Sequence, residues 1–248
     1  HGVFVKTAPT EQAALAEVEG LRALRAVGEL NIPTLIAQQG SRLQIAFVAG
    51  GRRNDTSDGK LGRQLARHHR IATSSYFGYE QDNFIGLAPQ YNEPVKFTED
   101  CSWPQFYWRM RLQKQLAMIQ GKGRSLGQLA QLLQQAKPEI FHLLASPEPP
   151  CLIHGDLWAG NYLVDDKGEP WVIDPAVCFA HRELELAMTS LFGGFGPRFY
   201  ENYEQEYPLA PGYLEREPLY QLYHVLNHYN IFGGGYLSQA ESLLRPYT

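Results

Sequence analysis

No stretch constrains this 248-residue chain more than Ile153-His154-Gly155-Asp156-Leu157-Trp158-Ala159-Gly160-Asn161, with Val172-Ile173-Asp174-Pro175 close behind it. Tyr162-Leu163-Val164 and Trp171-Val172-Ile173 are short apolar runs, and Asp165-Asp166-Lys167-Gly168-Glu169 between them is turn-forming. The segment therefore reads as a loop entering a β-hairpin. With Lys167-Gly168 as a two-residue turn, Asn161 lies opposite Asp174, their Cα atoms roughly 4.5–5.5 Å apart. An amide oxygen and a carboxylate that close suit one hard cation such as Mg²⁺, which takes one or two carboxylates plus phosphate oxygens. Asp156, five residues before Asn161, falls beside that cation, placed to accept a proton from a hydroxyl.

The spacing H-G-D-x-x-x-x-N from His154 to Asn161, with a later metal-type Asp, matches kinase-type phosphoryl transfer, whose loop reads H-R-D-x-x-x-x-N. Gly155 replaces the Arg that commonly pairs with a phosphorylated activation loop, so regulation of that kind is not expected. H-G-D is the form seen in aminoglycoside phosphotransferases and choline kinases, which points to a small-molecule acceptor. The later Asp opens D-P-A rather than D-F-G.

A formal charge of −4 leaves no basic footprint and weighs against nucleic acid as a partner. Cys101, Cys151 and Cys178 are odd in number, lack C-x-x-C or zinc spacing, and fit a reduced, cytoplasmic location. No apolar run approaches the length of a membrane span, and no signal peptide is visible. Residues 50–59 read as a linker, dividing an N-lobe at 1–50 from a C-lobe at 51–248.

Val3-Phe4-Val5-Lys6 reads as a strand ending in a lysine suited to ATP phosphates. In the helical stretch that follows, Ala14, Val18, Leu21 and Leu24 recur at helical spacing. Glu17 stands on the edge of that stripe and is the candidate to orient Lys6. Glu19 points about 200° further round, toward solvent. Residues 32–37 and 42–48 read as strands around a Gln39-Gly40 turn. Backbone groups of Ala46, Phe47 and Val48 are then the candidates for the adenine edge. Residues 61–71 read as a helix whose adjacent His68 and His69 point different ways, against a metal site. The aromatic, amide-rich stretch 77–92 offers Asn83, Gln90 and Asn92 to a polyhydroxylated ligand. Residues 103–120 and 126–144 read as long helices, with Trp103, Phe106, Tyr107 and Met110 toward the core. Arg109 and Arg111 are candidate contacts for phosphate or an acidic substrate, at least one of them facing solvent. His181 opens a further helix beside Asp174, and residues 219–232 read as an aromatic-rich helix beneath the substrate cleft.

Together these residues resemble the fructosamine kinase, or ketosamine kinase, family, within the aminoglycoside phosphotransferase and protein kinase-like superfamily. The resemblance runs through Phe4-Val5-Lys6, Glu17-x-Glu19-Gly20-Leu21, Asp82-Asn83-Phe84-Ile85-Gly86 and Pro89-Gln90-x-Asn92. It continues in His154-Gly155-Asp156-Leu157-Trp158-x-Gly160-Asn161, Asp174-Pro175-Ala176 and His181-Arg182-Glu183. It implies an α+β, protein kinase-like two-lobed fold with a small β-rich N-lobe and a larger, mainly helical C-lobe. It implies ATP and Mg²⁺, and phosphorylation of the sugar 3-hydroxyl of ketosamines, small or protein-bound, leading to deglycation. Asp156 is then the base, Asn161 and Asp174 hold Mg²⁺, Lys6 contacts the phosphates and Glu17 orients it. Ala46, Phe47 and Val48 meet the adenine, and Asn83, Trp158 and His181 face the substrate. Two departures stand out: the family's glycine-rich loop would lie before His1, and a Glu common before the hinge aromatic is Ala46. A kinase for another small alcohol, such as an aminoglycoside or amino alcohol, and a silent kinase-fold binding module remain the alternatives.

Overall fold

Strand β1 (Val3–Thr7), helix α1 (Glu11–Val27) and strands β2 (Leu35–Gln39) and β3 (Arg42–Ala46) open the computed structural model, which describes residues 2–98 and 102–248. Cys101 lies outside the described residues. The strands form an antiparallel sheet in the order β1-β3-β2, with Lys6 opposite Leu43. Thr10 caps α1 by accepting the Ala13 N–H, and Gly28 ends it in the left-handed conformation. Ala14, Val18 and Leu43 close a small core between helix and sheet.

The linker is shorter than it reads. Asn54 caps α2 (Asp55–Ile71) in a capping box with Ser57, so residues 55–59 are helical. Gly59 belongs to a packing face, not a flexible joint: it meets Asn202, and a Cβ on Gly62 one turn later would stand 2.1 Å from the Phe199 carbonyl oxygen. Upstream, the Gly51 N–H donates to Val164 O at 2.7 Å and docks the connection against the hairpin that follows Asn161.

Two small antiparallel pairs follow: β4 (Tyr76–Phe77) with β7 (Val95–Lys96), and β5 (Asn83–Ile85) with β6 (Ala88–Gln90). Helices α3 (Ser102–Phe106) and α4 (Lys114–Gly121) flank a π-helical segment, Tyr107–Gln113, so the long helix expected there is locally underwound. Trp103, Phe106, Tyr107 and Met110 are core, as read, together with residues of α5 (Leu129–Leu143). Arg111 corrects the phosphate-contact expectation. It is fully buried between the Phe106 and Tyr223 rings and donates to Asn92 Oδ1 at 2.9 Å. Arg109 is exposed beside Glu93.

Strands β8 (Cys151–Ile153), β9 (Tyr162–Val164), β10 (Pro170–Val172) and β11 (Cys178–Ala180) carry the central motif, β8 pairing with β11 and β9 with β10. Helices α6 (Glu183–Leu191), α7 (Pro197–Glu206), α8 (Tyr213–Phe232) and α9 (Tyr236–Leu244) complete the larger part. His68 and His69 are buried on Leu152 O and Tyr203 Oη, and burial keeps both neutral. Among the described residues no group of three or more His, Cys, Asp or Glu is arranged to hold a metal, and no helix is long and apolar enough to cross a membrane.

Candidate active site

The hairpin that follows Asn161 is out of the expected register by one residue. Val172 pairs with Tyr162, and Ile173 donates to Asn161 O at 3.1 Å, so Ile173 rather than Asp174 lies opposite Asn161. The turn spans three residues, 166–168. Asp165 Oδ1 accepts the Lys167 and Glu169 N–H groups at 2.9 Å each, and Gly168 takes φ 78. A one-residue slip sends side chains to opposite faces, but the backbone restores the meeting. Residues Ala159–Asn161 form a 3₁₀ turn, and Asp174 adopts φ 57, the one non-glycine residue with positive φ among those described. Asn161 and Asp174 thereby line one cleft of about 640 Å³ with Lys6, Glu17, Asp156 and Trp158.

Gly155 is required where it stands: its φ is 84, and a Cβ would fall 2.0 Å from the Ala176 carbonyl oxygen. Any side chain is excluded there, which is the physical basis of H-G-D in this chain. The close approach ties the loop to the Asp174 segment. The Ala176 N–H donates to His154 O at 2.8 Å, and His154 Nε2 donates to Ile173 O at 2.8 Å. Burial lowers the His154 pKa and keeps the ring neutral, so Nδ1 accepts the Asp156 N–H at 3.3 Å.

Two residues that the sequence reading passed over support this loop. Glu185 is buried beneath it and accepts the N–H groups of His154 and Gly155, the latter at 3.0 Å. Its signal was a carboxylate embedded in the apolar run Leu184-Glu185-Leu186-Ala187-Met188. Arg53 stacks on the Tyr162 ring and donates to the carbonyls of Ala159 and Tyr162, on either side of the Asn161 turn. Nothing local in the sequence marks it.

The charges converge on the cleft. Asn161 Nδ2 donates to Asp156 O at 2.8 Å and Oδ2 at 3.3 Å, which leaves its side-chain oxygen as the end for a cation. Lys6 Nζ stands 2.7 Å from Asp174 Oδ1 and 2.9 Å from Glu17 Oε2. Burial works to lower the Lys6 pKa, but Asp174 and Glu17 outweigh it and raise it, so the ammonium stays charged. Burial, then the charges of Glu185 and Asp174, push the Asp156 carboxyl up to about 8. An amide oxygen and one carboxylate are hard donors, and they fit a small dication whose shell phosphate oxygens complete.

The other candidates fall less evenly. Trp158 lines the cleft and is exposed. Asn83 borders it too, yet its amide is spent on protein partners: Nδ2 on Val177 O at 2.7 Å, Oδ1 on Gln90 and Asn92. His181 is buried away from the cleft, its ring nitrogens on Ser146 Oγ and Tyr220 Oη at 3.1 Å each, because its helix start faces the core. The N–H groups of Ala46 and Phe47 are bonded to Thr34 O and Gly2 O, and neither these residues nor Val48 line the cleft. Met188, Phe192, Ile231, Phe232, Tyr236 and His228 also line the cleft, whose carboxylates are Glu17, Asp156 and Asp174.

A lysine–glutamate pair on a small sheet and helix, facing a loop Asp, Asn and second Asp on a helical body, is the design of an ATP-dependent phosphotransferase of protein kinase-like, two-lobed fold. A choline/ethanolamine kinase family structure and an aminoglycoside phosphotransferase structure, 13% and 15% identical with TM-scores of 0.63, share the fold alone. The fructosamine kinase family model matches residues 1–247, and the chain belongs to that family. A probable ketoamine kinase from Synechocystis is 39% identical, covering 98% of this chain and 81% of its own. The chloroplastic protein-ribulosamine 3-kinase of Arabidopsis thaliana is 38% identical over 98% of this chain and 75% of its own. A crystal structure assigned to fructosamine-3-kinase from Thermobifida fusca superposes with a TM-score of 0.88 at 33% identity, covering 98% of this chain and 84% of that one.

Proposed function

We propose that this enzyme phosphorylates the sugar 3-hydroxyl of ketosamines, and that Asp156, favoured as a carboxylate by the charge of a cation bound beside it, accepts the hydroxyl proton. The observation that carries the mechanism is the Asn161 amide, which binds Asp156 through its nitrogen and leaves its oxygen for the cleft that Asp174 also lines. A proton acceptor and a cation site are thereby set side by side. Asn161 and Asp174 would hold Mg²⁺, which would supply positive charge against the phosphate oxygens. Lys6 then contacts the phosphates, with Glu17 fixing its ammonium. Ala46, Phe47 and Val48 are assigned to the adenine side, outside the lining of this cleft, and residues 1–50 to the nucleotide lobe.

The acceptor side supports a ketosamine over an aminoglycoside. A polycationic acceptor gains from a wall of carboxylates, whereas the carboxylates lining this cleft, Glu17, Asp156 and Asp174, all belong to the phosphate end in this reading and the rest of the lining is mostly apolar, aromatic or amide. The buried, free thiols of Cys151 and Cys178 fit a reducing, cytoplasmic setting. Initial ADP release with fructosyl-lysine, ribulosyl-lysine, an aminoglycoside and choline, under saturating Mg-ATP, tests the acceptor. A ketosamine is expected to lead by roughly tenfold or more in kcat/KM, about 1.4 kcal/mol of differential transition-state binding. Preference for an aminoglycoside or choline would overturn the assignment.

A further inference from the structure

The sequence offers Asn83, Gln90 and Asn92 to a sugar, and the fold uses them otherwise. Hairpin β5–β6 sets Asn83 directly across from Gln90, around a turn whose Gly86 takes φ 58. All three amides are buried. Gln90 Nε2 donates to Ala176 O and to Asn83 Oδ1, each at 2.9 Å, and Asn83 Nδ2 donates to Val177 O at 2.7 Å. Asn92 Nδ2 donates to Asn83 Oδ1 at 2.9 Å, Arg111 donates to Asn92 Oδ1, and Tyr223 Oη donates to Gln90 Oε1 at 2.8 Å. Every amide oxygen and nitrogen in the set has a partner, so only one arrangement satisfies it.

We infer that Asn83, Gln90 and Asn92 are positioning residues that clamp the segment after Asp174 and so hold its carboxylate toward the cation. The inference rests on reading Asp174 as a cation ligand. Asp174 is held at φ 57, a conformation that disfavours any residue with a Cβ and persists only where the surroundings over-determine it. They do so on both sides. Ile173 is bonded to Asn161 and His154, Ala176 N–H to His154, and Pro175 packs on Gly20. The amides of Gln90 and Asn83 then take the carbonyls of Ala176 and Val177. A segment bonded at both ends leaves Asp174 one backbone conformation.

Gln90→Met tests this by removing the donor to Ala176 O at nearly constant volume. Two quantities are read: amide hydrogen exchange across residues 173–177, and ATP affinity by calorimetry with and without Mg²⁺. The loss of neutral hydrogen bonds of ordinary strength is expected to speed exchange there, and to shrink the Mg²⁺-dependent gain in ATP affinity, by about three- to tenfold each. Affinity for ATP without Mg²⁺ should stay at the wild-type value. A merely structural role would lower the melting temperature while leaving that gain intact in the folded protein, and this outcome would overturn the inference. Tyr223→Phe, which removes only the hydroxyl that orients Gln90, should shift both quantities the same way to a smaller extent, and decides the matter if Gln90→Met does not fold. If wild-type ATP affinity ignores Mg²⁺, the cation reading of Asp174 fails by itself, and the exchange rates still judge the clamp.

Discussion

Gly20 of α1 meets Pro175 edge on: a Cβ at Gly20 would stand 3.0 Å from Pro175 Cγ. The helix that carries Glu17 is thereby seated on the residue next to Asp174, and Lys6 is caught between the two carboxylates. A helix-interior glycine costs about 1 kcal/mol relative to alanine, a cost set against this close approach.

Gly20→Val should therefore destabilise the protein by about 1–3 kcal/mol through overpacking and weaken ATP binding as Glu17 is displaced from Lys6. Denaturant unfolding and calorimetry measure the two effects. Wild-type ATP affinity in the variant would mean that α1 is not set by this contact.

Asp156→Asn should keep ATP affinity and lose about 10²–10⁴-fold in turnover, the usual worth of a positioned proton acceptor. Turnover near that of the wild type would remove Asp156 from the chemistry.

Asp174→Ala and Asp174→Gly should both abolish the Mg²⁺ dependence of ATP binding. They should differ in stability. The left-handed conformation costs a residue with a Cβ about 1–2 kcal/mol, and glycine loses about 0.5–1 kcal/mol in chain entropy. The glycine variant should come out ahead by roughly 0.5–1 kcal/mol in urea unfolding, and an equal or lower stability would argue against strain at this residue.

Glu148 and Arg182 form a bidentate pair, 2.8 Å at each oxygen. Burial works against the Glu148 carboxylate, but Arg182 and His181 outweigh it and hold its pKa well below the ordinary 4.5. A depressed folded-state pKa contributes stability above the unfolded value, and that contribution is lost as pH falls below about 4.5. Glu148→Gln should cost on the order of 2–3 kcal/mol at pH 7, less than a fully buried pair, and flatten the fall in stability below pH 4.5. Parallel acid limbs for variant and wild type would contradict the pairing.

Much of this protein was legible in local patterns. The 3.6-residue period of Ala14, Val18, Leu21 and Leu24 predicts α1 and sets Glu17 at its edge. The apolar runs around Asp165–Glu169 predict the hairpin, and H-G-D-x-x-x-x-N marks its chemistry. Such signals survive in sequence because each depends on neighbours a few residues away. The hairpin register was missed because a side chain, Asp165, closes the turn in place of a two-residue backbone turn. The linker was overextended because Gly59 reads as a break, whereas it faces another helix.

What the sequence by itself determined, then, is the set of reactive groups and the short elements that carry them. Only the tertiary structure decided which of them meet. Asn83 and His181 look like ligand contacts, yet they are consumed by carbonyls and hydroxyls from segments more than thirty residues away. Glu185 and Arg53 look incidental, yet they hold the backbone on either side of Asp156 and Asn161. The reason is physical: a buried polar group must be paired, and which partner pairs it depends on packing between distant segments that no local pattern encodes.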